Sequence, residues 1–270
     1  MNILVCIKQV PDTTIIKIDP VTNTLMREGV PAIVSPFDAY ALEAAARIKD
    51  KDKNTKIVVL SMGPEQALVA LKECLSVGGD KAYLVSDRAC GGSDTLATGY
   101  ILSQAKEKIE ELEGLKFDMI MFGKQAIDGD TAQVGPQIAE KLHLPQVTYA
   151  GEITKDGDTL TVKRMLEDGY MTIKVKTPCM ITCIKELNTP RYLSVGGAFE
   201  CYSKPLVTMT YETLKDHPLI DKSTIGLAGS PTNILTSFTP PQKGAGMMLE
   251  GADKATTDKL AGILAAKHII

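Results

Sequence analysis

The sequence predicts an α/β fold: a parallel sheet sandwiched by helices, extended by antiparallel strands and finished by a C-terminal arm. Three observations carry this. Short apolar runs alternate with helical patterns through the first 145 residues. A two-residue alternation with a hairpin signal takes over after Pro145. From Asn188 onwards regularity fades, and the chain ends in Pro- and Gly-rich segments followed by one amphipathic stretch.

The first part supplies four short strands. "NILVCIK" (Asn2–Lys8), "KIVVLSM" (Lys56–Met62), "AYLVS" (Ala82–Ser86) and "DMIMFG" (Asp118–Gly123) are continuous apolar runs, which suit strands covered on both faces. Helical patterns separate them. "PFDAYALEAAARIKD" sets Ala41, Ala44, Ala45 and Ile48 on one face. "PEQALVALKECLSVGG" opens on Pro64 and closes on a glycine pair. "SDTLATGYILSQAKEKIEELEG" opens at Ser93 and Asp94 and stops at Gly114. Strand–helix alternation implies right-handed crossovers and a parallel sheet.

The second part changes period. "GEITKDGDTLTVKRM" carries Asp156-Gly157 as a hairpin turn, and "GYMTIKVKT" alternates Met171, Ile173 and Val175 against Thr172, Lys174 and Lys176. "PCMITCI" is a further buried run. "NTPRYLSVGGAFECYSKP" reads as loop. The expected division is a nucleotide-binding type of α/β domain over residues 1–210 and an extended arm with a terminal helix over residues 211–270.

Bulk properties narrow the function classes. Apolar residues make up 44% and charged residues 23%, as in a globular protein with a substantial core. Trp is absent and aromatics are 5%, so that core is aliphatic. The net charge of -3 gives no global field for nucleic acid. No apolar run approaches the ~18 residues of a membrane span. "MNILVCIKQVPD" lacks the parts of a secretory signal. Six cysteines without a C-x-x-C fit a reducing cytoplasm. Cys179 and Cys183 lie in a strand-like run with no His nearby, so they read as core rather than metal ligands. His143, His217 and His268 share no spacing for metal or base catalysis and read as surface residues.

Chemistry concentrates where strands end. "GKQAIDGDTAQVGPQI" (Gly123, Lys124, Gln125, Ala126, Ile127, Asp128, Gly129, Asp130, Thr131, Ala132, Gln133, Val134, Gly135, Pro136, Gln137 and Ile138) runs from a strand into a helix. Thr131 is the expected cap, and Gly129 and Gly135 allow close approach of a ligand to the backbone. Unpaired N–H groups at a helix start favour phosphate. The same residues also suit an ordinary capped helix, and the two aspartates oppose an anion unless they turn away. "CIKQVPD" puts Cys6 and Lys8 at the same sheet edge, ahead of a long loop from Val10 to Ser35. Ser35, Pro36, Phe37 and Asp38 open the first helix, and Met62 ends another strand. These junctions share the crevice in which a nucleotide would lie. No Walker A, G-x-G-x-x-G or G-x-S-x-G pattern opens a helix after a strand.

Taken together, "ILVCIKQVPD", "SPFDAYALEAA", "GKQAIDGDTAQVGPQIAEKL", "VKRMLEDGYMTIKVKTPCMIT" and "LNTPRY" resemble the β subunit of electron-transfer flavoprotein, in order, from Met1 to about Tyr211. Met171 departs from the Glu or Gln usual in that family. The resemblance implies a Rossmann-like fold of the adenine-nucleotide-binding type and nucleotide contacts at Cys6, Ser35–Asp38, Met62 and Gly123–Ile138. It implies a heterodimer with an α subunit that carries a redox-active FAD. Two branches are open. In one the β subunit holds a structural AMP. In the other it holds a second FAD, oxidises NADH, and divides electrons between ferredoxin or flavodoxin and, through the α subunit, an acyl-CoA dehydrogenase.

The adenylate part is common to both branches, so the loop after the first strand decides between them. Thr13, a small residue where AMP-holding members carry an aromatic, leaves room for a flavin and favours the second branch. Lys8, Lys124 and Arg164 are cations placed to stabilise a reduced flavin or an anionic partner. The segment from Cys183 to Pro205 corresponds to the family's dehydrogenase recognition loop, with Arg191, Leu193 and Val195 as partner-binding residues. A minimal ATP-binding module of similar fold needs neither the Val162–Thr182 stretch nor the tail.

Overall fold

A computed structural model describes residues 1–12, 31–216, 220–232, 235 and 244–270. In chain order the elements are β1 (Asn2–Cys6), β2 (Gln9–Pro11), β3 (Ala32–Val34), α1 (Pro36–Lys51), β4 (Lys56–Met62), α2 (Leu68–Val77), β5 (Lys81–Val85), α3 (Thr95–Glu113), β6 (Met119–Gly123), α4 (Val134–Lys141), β7 (Gln146–Asp156), β8 (Thr159–Met165), β9 (Tyr170–Lys176), β10 (Cys179–Cys183), α5 (Val195–Glu200), β11 (Leu206–Met209), α6 (Tyr211–Leu214) and α7 (Lys254–Ala266). One sheet takes the order β11-β5-β4-β1-β6-β10-β7-β8-β9. It is parallel from β11 to β7, and β8 and β9 add antiparallel strands at one side. This is the expected class.

Alternation along the strands builds two cores. Ile3, Val5, Ile57 and Val59 face α1 and α2, whose Ala41, Ala45, Leu71 and Leu75 fill that side. Leu4, Val58, Leu60 and Ile120 face α3 and α4, meeting Ile101, Ile109, Ile138 and Ala139. Small alanines on α1 let the helix lie close to the sheet, and the contacts are aliphatic as the composition requires. Cys179 and Cys183 are fully buried in the first core, and burial pushes the Cys179 thiol up to about 11. They pack rather than react.

Three elements go beyond the sequence reading. The loop after β1 contains a small antiparallel ladder, β2 with β3. "SVGGAFE" is not all loop: Ser194 accepts the Gly197 N–H and starts the six-residue α5. β11 pairs in parallel with β5, a strand hidden in "LVTM" by its shortness and polar flanks. The first unit also takes in residues 211–232, because Leu214, Ile220 and Ile225 are buried on the α3 side. The described part of the second unit consists of residue 235 and residues 244–270, including α7, which has no buried residue. No helix among the described residues is long and apolar enough to cross a membrane.

β7 serves both halves of the sheet. Its first residues run parallel to β10 and its later ones antiparallel to β8. The register slips between Val147 and Ala150, and Tyr149 takes a φ of 59°. A bulge that forces an aromatic residue into the left-handed region re-aims its side chain. The Tyr149 N–H is bonded to Thr182 Oγ1 at 3.0 Å, which holds the bulge against β10.

α3 is tied to β6 by one carboxylate. Glu110 receives Lys106 at 2.8 Å, Lys116 at 2.7 Å and the Phe117 N–H at 3.0 Å, with its side chain 2% exposed. Glu110→Ala strips a buried acceptor from three donors. It should lower unfolding free energy by about 3 kcal/mol, read from urea denaturation followed by far-UV circular dichroism.

Candidate functional site

The carboxyl edge of the parallel strands gathers the segments singled out in the sequence. Cys6 ends β1, Met62 ends β4 and Gly123 ends β6. β1 lies between β4 and β6, so the three ends are neighbours. In open parallel sheets this edge is the ligand crevice.

Asp38 organises it. Its carboxylate leaves the first turn of α1 and accepts the Lys8 N–H at 2.8 Å and the Gly123 N–H at 2.9 Å. One side chain thereby fixes the ends of β1 and β6 against the start of α1. Only glycine fits at position 123: a Cβ there would lie 2.5 Å from Asp38 Oδ1 and 2.5 Å from the Phe37 carbonyl carbon. Burial pushes the Asp38 carboxyl up to about 7, although the two N–H bonds and nearby Lys8 pull the other way. Cys6 sits beside it, buried, its thiol pushed well up by burial and by Asp38. Cys6 is therefore a small lining residue and not a nucleophile.

In the loop from Lys124 to Gln133 both aspartates have partners within the chain. Lys8 Nζ reaches both Asp128 oxygens at 2.8 Å, and the Asp128 side chain is 5% exposed. Asp130 accepts Gln125 Nε2 at 2.8 Å. Lys8 thus neutralises Asp128 inside the protein, while Asp130 stays exposed with a neutral amide as its partner. Lys8, read from sequence as a free cation, is committed to this pair.

The helix start differs from the expected cap. α4 begins at Val134 with Gln133 at the N-cap, and no side chain caps it. Asp130 and Ala132 take positive φ of 51° and 53°, so Thr131 and Ala132 lie in irregular backbone before the helix instead of forming its first residues. The uncapped end leaves backbone donors for a ligand. Ser35 occupies the N-cap position of α1 as expected, yet it too makes no side-chain capping bond.

Three buried polar atoms at these junctions lack a partner among the described residues: Ser35 Oγ, Ser61 Oγ and Gln137 Oε1. A buried acceptor or hydroxyl left unbonded is costly, and a bound polar ligand is a common reason to keep one. A Cβ built at Gly129 meets nothing within 4 Å. These features fit an adenylate and its phosphates. Gly135 has another task. Its Cβ position falls 3.1 Å from Thr182 and 3.3 Å from Phe122, so it lets α4 approach β10. Ile138 is buried in the core.

Sequence reasoning passed over four residues here. Ser61 is one. Thr95, at the start of α3, hydrogen-bonds both Gln133 at 3.1 Å and Gln137 at 3.3 Å and ties α3 to the loop and α4. Tyr149 is the third: Lys124 Nζ stands 5.5 Å and the Arg164 guanidinium 5.9 Å from its ring centroid. Arg164 Nε is buried and unbonded. The fourth is Glu43, which binds the expected partner residue Arg191 inside the chain. Leu193 and Val195, by contrast, are exposed. Thr13 and His217 lie outside the described residues.

A family model described as "Electron transfer flavoprotein domain" matches residues 22–208. Over all of both chains the sequence is 54% identical to the acryloyl-CoA reductase electron transfer subunit gamma of Anaerotignum propionicum. It is 49% identical to the caffeyl-CoA reductase-Etf complex subunit CarD of Acetobacterium woodii, again end to end. It is 51% identical, over the same full span, to the electron transfer flavoprotein subunit beta of Thermoanaerobacterium thermosaccharolyticum.

The Asp38 charge has a stability signature. Its folded pKa of about 7 lies above the ordinary 3.8, so the native state holds the proton more tightly than the unfolded chain. The resulting stabilisation is complete below pH 4 and fades as pH rises through 7, by about 4 kcal/mol at most. Asp38→Asn should flatten the slope across that window. It should also cost about 1–3 kcal/mol at the acid end, since one N–H loses its acceptor. Urea midpoints measured from pH 4 to pH 7.5 check both.

Proposed function

The chain belongs to the electron transfer flavoprotein family as a β subunit, and on that premise we propose that it holds FAD at this edge and works in an electron-bifurcating complex. In this reading the αβ complex oxidises NADH, sends one electron to ferredoxin or flavodoxin, and passes the other through the α-subunit FAD to an acyl-CoA dehydrogenase. The alternative is a carrier subunit that holds a structural AMP. The observation that carries nucleotide binding is the convergence, among the described residues, of an uncapped helix start, an Asp128 neutralised by Lys8 and three unpartnered buried polar atoms at one sheet edge. The relatives named for acryloyl-CoA and caffeyl-CoA reductase complexes support the dehydrogenase reading.

Each residue then has a task. Ser35 and Ser61 offer hydroxyls to the adenosine part, beside Cys6 and Met62. The loop at Gly129–Ala132 and the start of α4 offer N–H groups to the phosphates. Asp38 holds the floor of the site rigid through the Lys8 and Gly123 N–H groups. A bound flavin supplies the hydride and single-electron chemistry, which no side chain can. Lys124 and Arg164, drawn together over Tyr149, provide positive charge beside the loop. Neither appears among the ion pairs of the described residues. The uncovered α7 and the exposed Met247 and Met248 suit an arm that lies on the α subunit.

Denaturing the purified αβ complex and counting released nucleotides tests the central reading. Two FAD per heterodimer are expected; one FAD with one AMP selects the alternative. The cations have a separate readout. Lys124→Met and Arg164→Met should each lower the two-electron potential of the β-site flavin by about 30 mV, a tenfold change in the reduction equilibrium. Spectroelectrochemical titration decides, and unchanged potentials with full flavin content would remove these residues from the role.

A further inference from the structure

The segment between β10 and β11 is fastened at both ends and bare in the middle. At its start, Asn188 Nδ2 donates to the Tyr40 carbonyl at 2.9 Å, and Arg47 Nη2 donates to the Thr189 carbonyl at 3.2 Å. Arg191 then closes on α1 with three donors. Its N–H and Nε reach Glu43 Oε2 at 3.2 Å and 2.7 Å, and Nη2 reaches Asp50 Oδ2 at 2.7 Å. At its end, Lys204 Nζ donates to the Leu75 and Gly79 carbonyls at 2.7 Å and 2.9 Å. Gly197 packs so tightly that a Cβ there would fall 2.2 Å from the Ser76 carbonyl oxygen.

Between these fastenings the apolar side chains face out. Tyr192 is 97% exposed, Val195 and Phe199 77%, and Leu193 52%. The contrast within one short stretch is the informative feature. Arg191 spends its hydrogen-bonding capacity inside the chain, whereas its apolar neighbours make little use of the subunit that holds them. Glu43, the carboxylate at the centre, has a side chain only 5% exposed and also receives Arg47 Nε at 2.6 Å. Burial pushes the Glu43 carboxyl up, but the bonds from Arg191 and Arg47 outweigh it and hold it below the ordinary range. The pair therefore stays charged at neutral pH.

We infer that Arg191 and Glu43 are positioning residues: they set the loop in its docking conformation before the partner arrives, and Leu193 with its apolar neighbours makes the contact. This rests on the proposed docking of an acyl-CoA dehydrogenase. An exposed loop that had to be ordered by the partner would bind more weakly, because its conformational entropy would be lost at the moment of binding. The planar guanidinium suits this task, since it engages two carboxylates in a fixed geometry that a lysine cannot copy.

The test uses the intact αβ complex with Arg191→Met, Glu43→Gln, the double variant, Arg191→Lys and Leu193→Ala. Backbone amides of Thr189, Arg191, Tyr192 and Leu193 should exchange with deuterium about tenfold faster in Arg191→Met and Glu43→Gln without any partner present. KM for the acceptor dehydrogenase should rise about tenfold in both, with the effect in KM rather than kcat. The double variant should be no worse than the poorer single one, and Arg191→Lys should fall between. Bound nucleotide content monitors folding. Unchanged exchange in Arg191→Met overturns the clamp, and faster exchange with unchanged KM overturns its part in docking. An unchanged KM in Leu193→Ala overturns the docking reading itself, whatever the exchange rates.

Discussion

Two hydrogen bonds from backbone to one carboxylate hold the architecture together where it matters. Asp38 receives Lys8 and Gly123, residues 30 and 85 positions away in sequence. That staple joins the ends of β1 and β6 above the sheet and, with the Ser35 N–H donating to the Lys8 carbonyl at 2.8 Å, seats the start of α1. The arrangement asks for glycine at 123, because the carboxylate lies where a side chain would be. It also asks for burial of a group that prefers water, and the raised pKa records the strain of that demand. A site that binds by backbone donors needs this rigidity, since donors on a drifting loop lose their aim.

Electrostatics at the adjoining loop follow from the same logic. Phosphate recognition by N–H groups works only if nearby acids are cancelled. Lys8 cancels Asp128, and the Lys8 N–H is simultaneously bonded to Asp38. One residue thus joins the staple to the charge correction. Positive φ at Asp130 and Ala132 is the remaining cost, a turn that L-residues rarely adopt and that asparagine or aspartate tolerates best. Such strain is sustained because the segment is pinned at both sides, by Gln125 to Asp130 and by Gln133 to Thr95.

The sequence made the sheet legible because parallel strands covered on both faces are written as unbroken apolar runs. β1, β4, β5 and β6 were found within one or two residues. β11 was missed because "LVTM" is only four residues long and is preceded by Lys204 and Pro205. The loop carrying α5 was missed for a related reason: its glycines argue against helix, and only the Ser194 cap reveals it. At the site, residue type and junction position were enough to gather Cys6, Ser35–Asp38, Met62 and Gly123. Pairings were not legible. Nothing local in "CIKQ" says that Lys8 meets Asp128, 120 positions on, or that Asp38 is a staple rather than a first-turn acid. The resemblance marks Arg191 as a partner-binding residue; that it also pairs with Glu43 is a tertiary fact that no local pattern carries.

α1 is where the two halves of the function meet. Its N-terminal residues form the sheet-edge floor, and its middle carries Glu43, Arg47 and Asp50 against the docking segment. From Asp38 to Asp50 a helix rises roughly 18 Å. The face between them is packed on the sheet through Ala41, Leu42, Ala45 and Ala46, so the helix has little freedom to bend or slide. A carrier that must deliver electrons to another protein gains from such a fixed ruler. On the proposed reading, the spacing between the sheet-edge site and the docking segment is set by folding, and partner binding need only find a surface already in place.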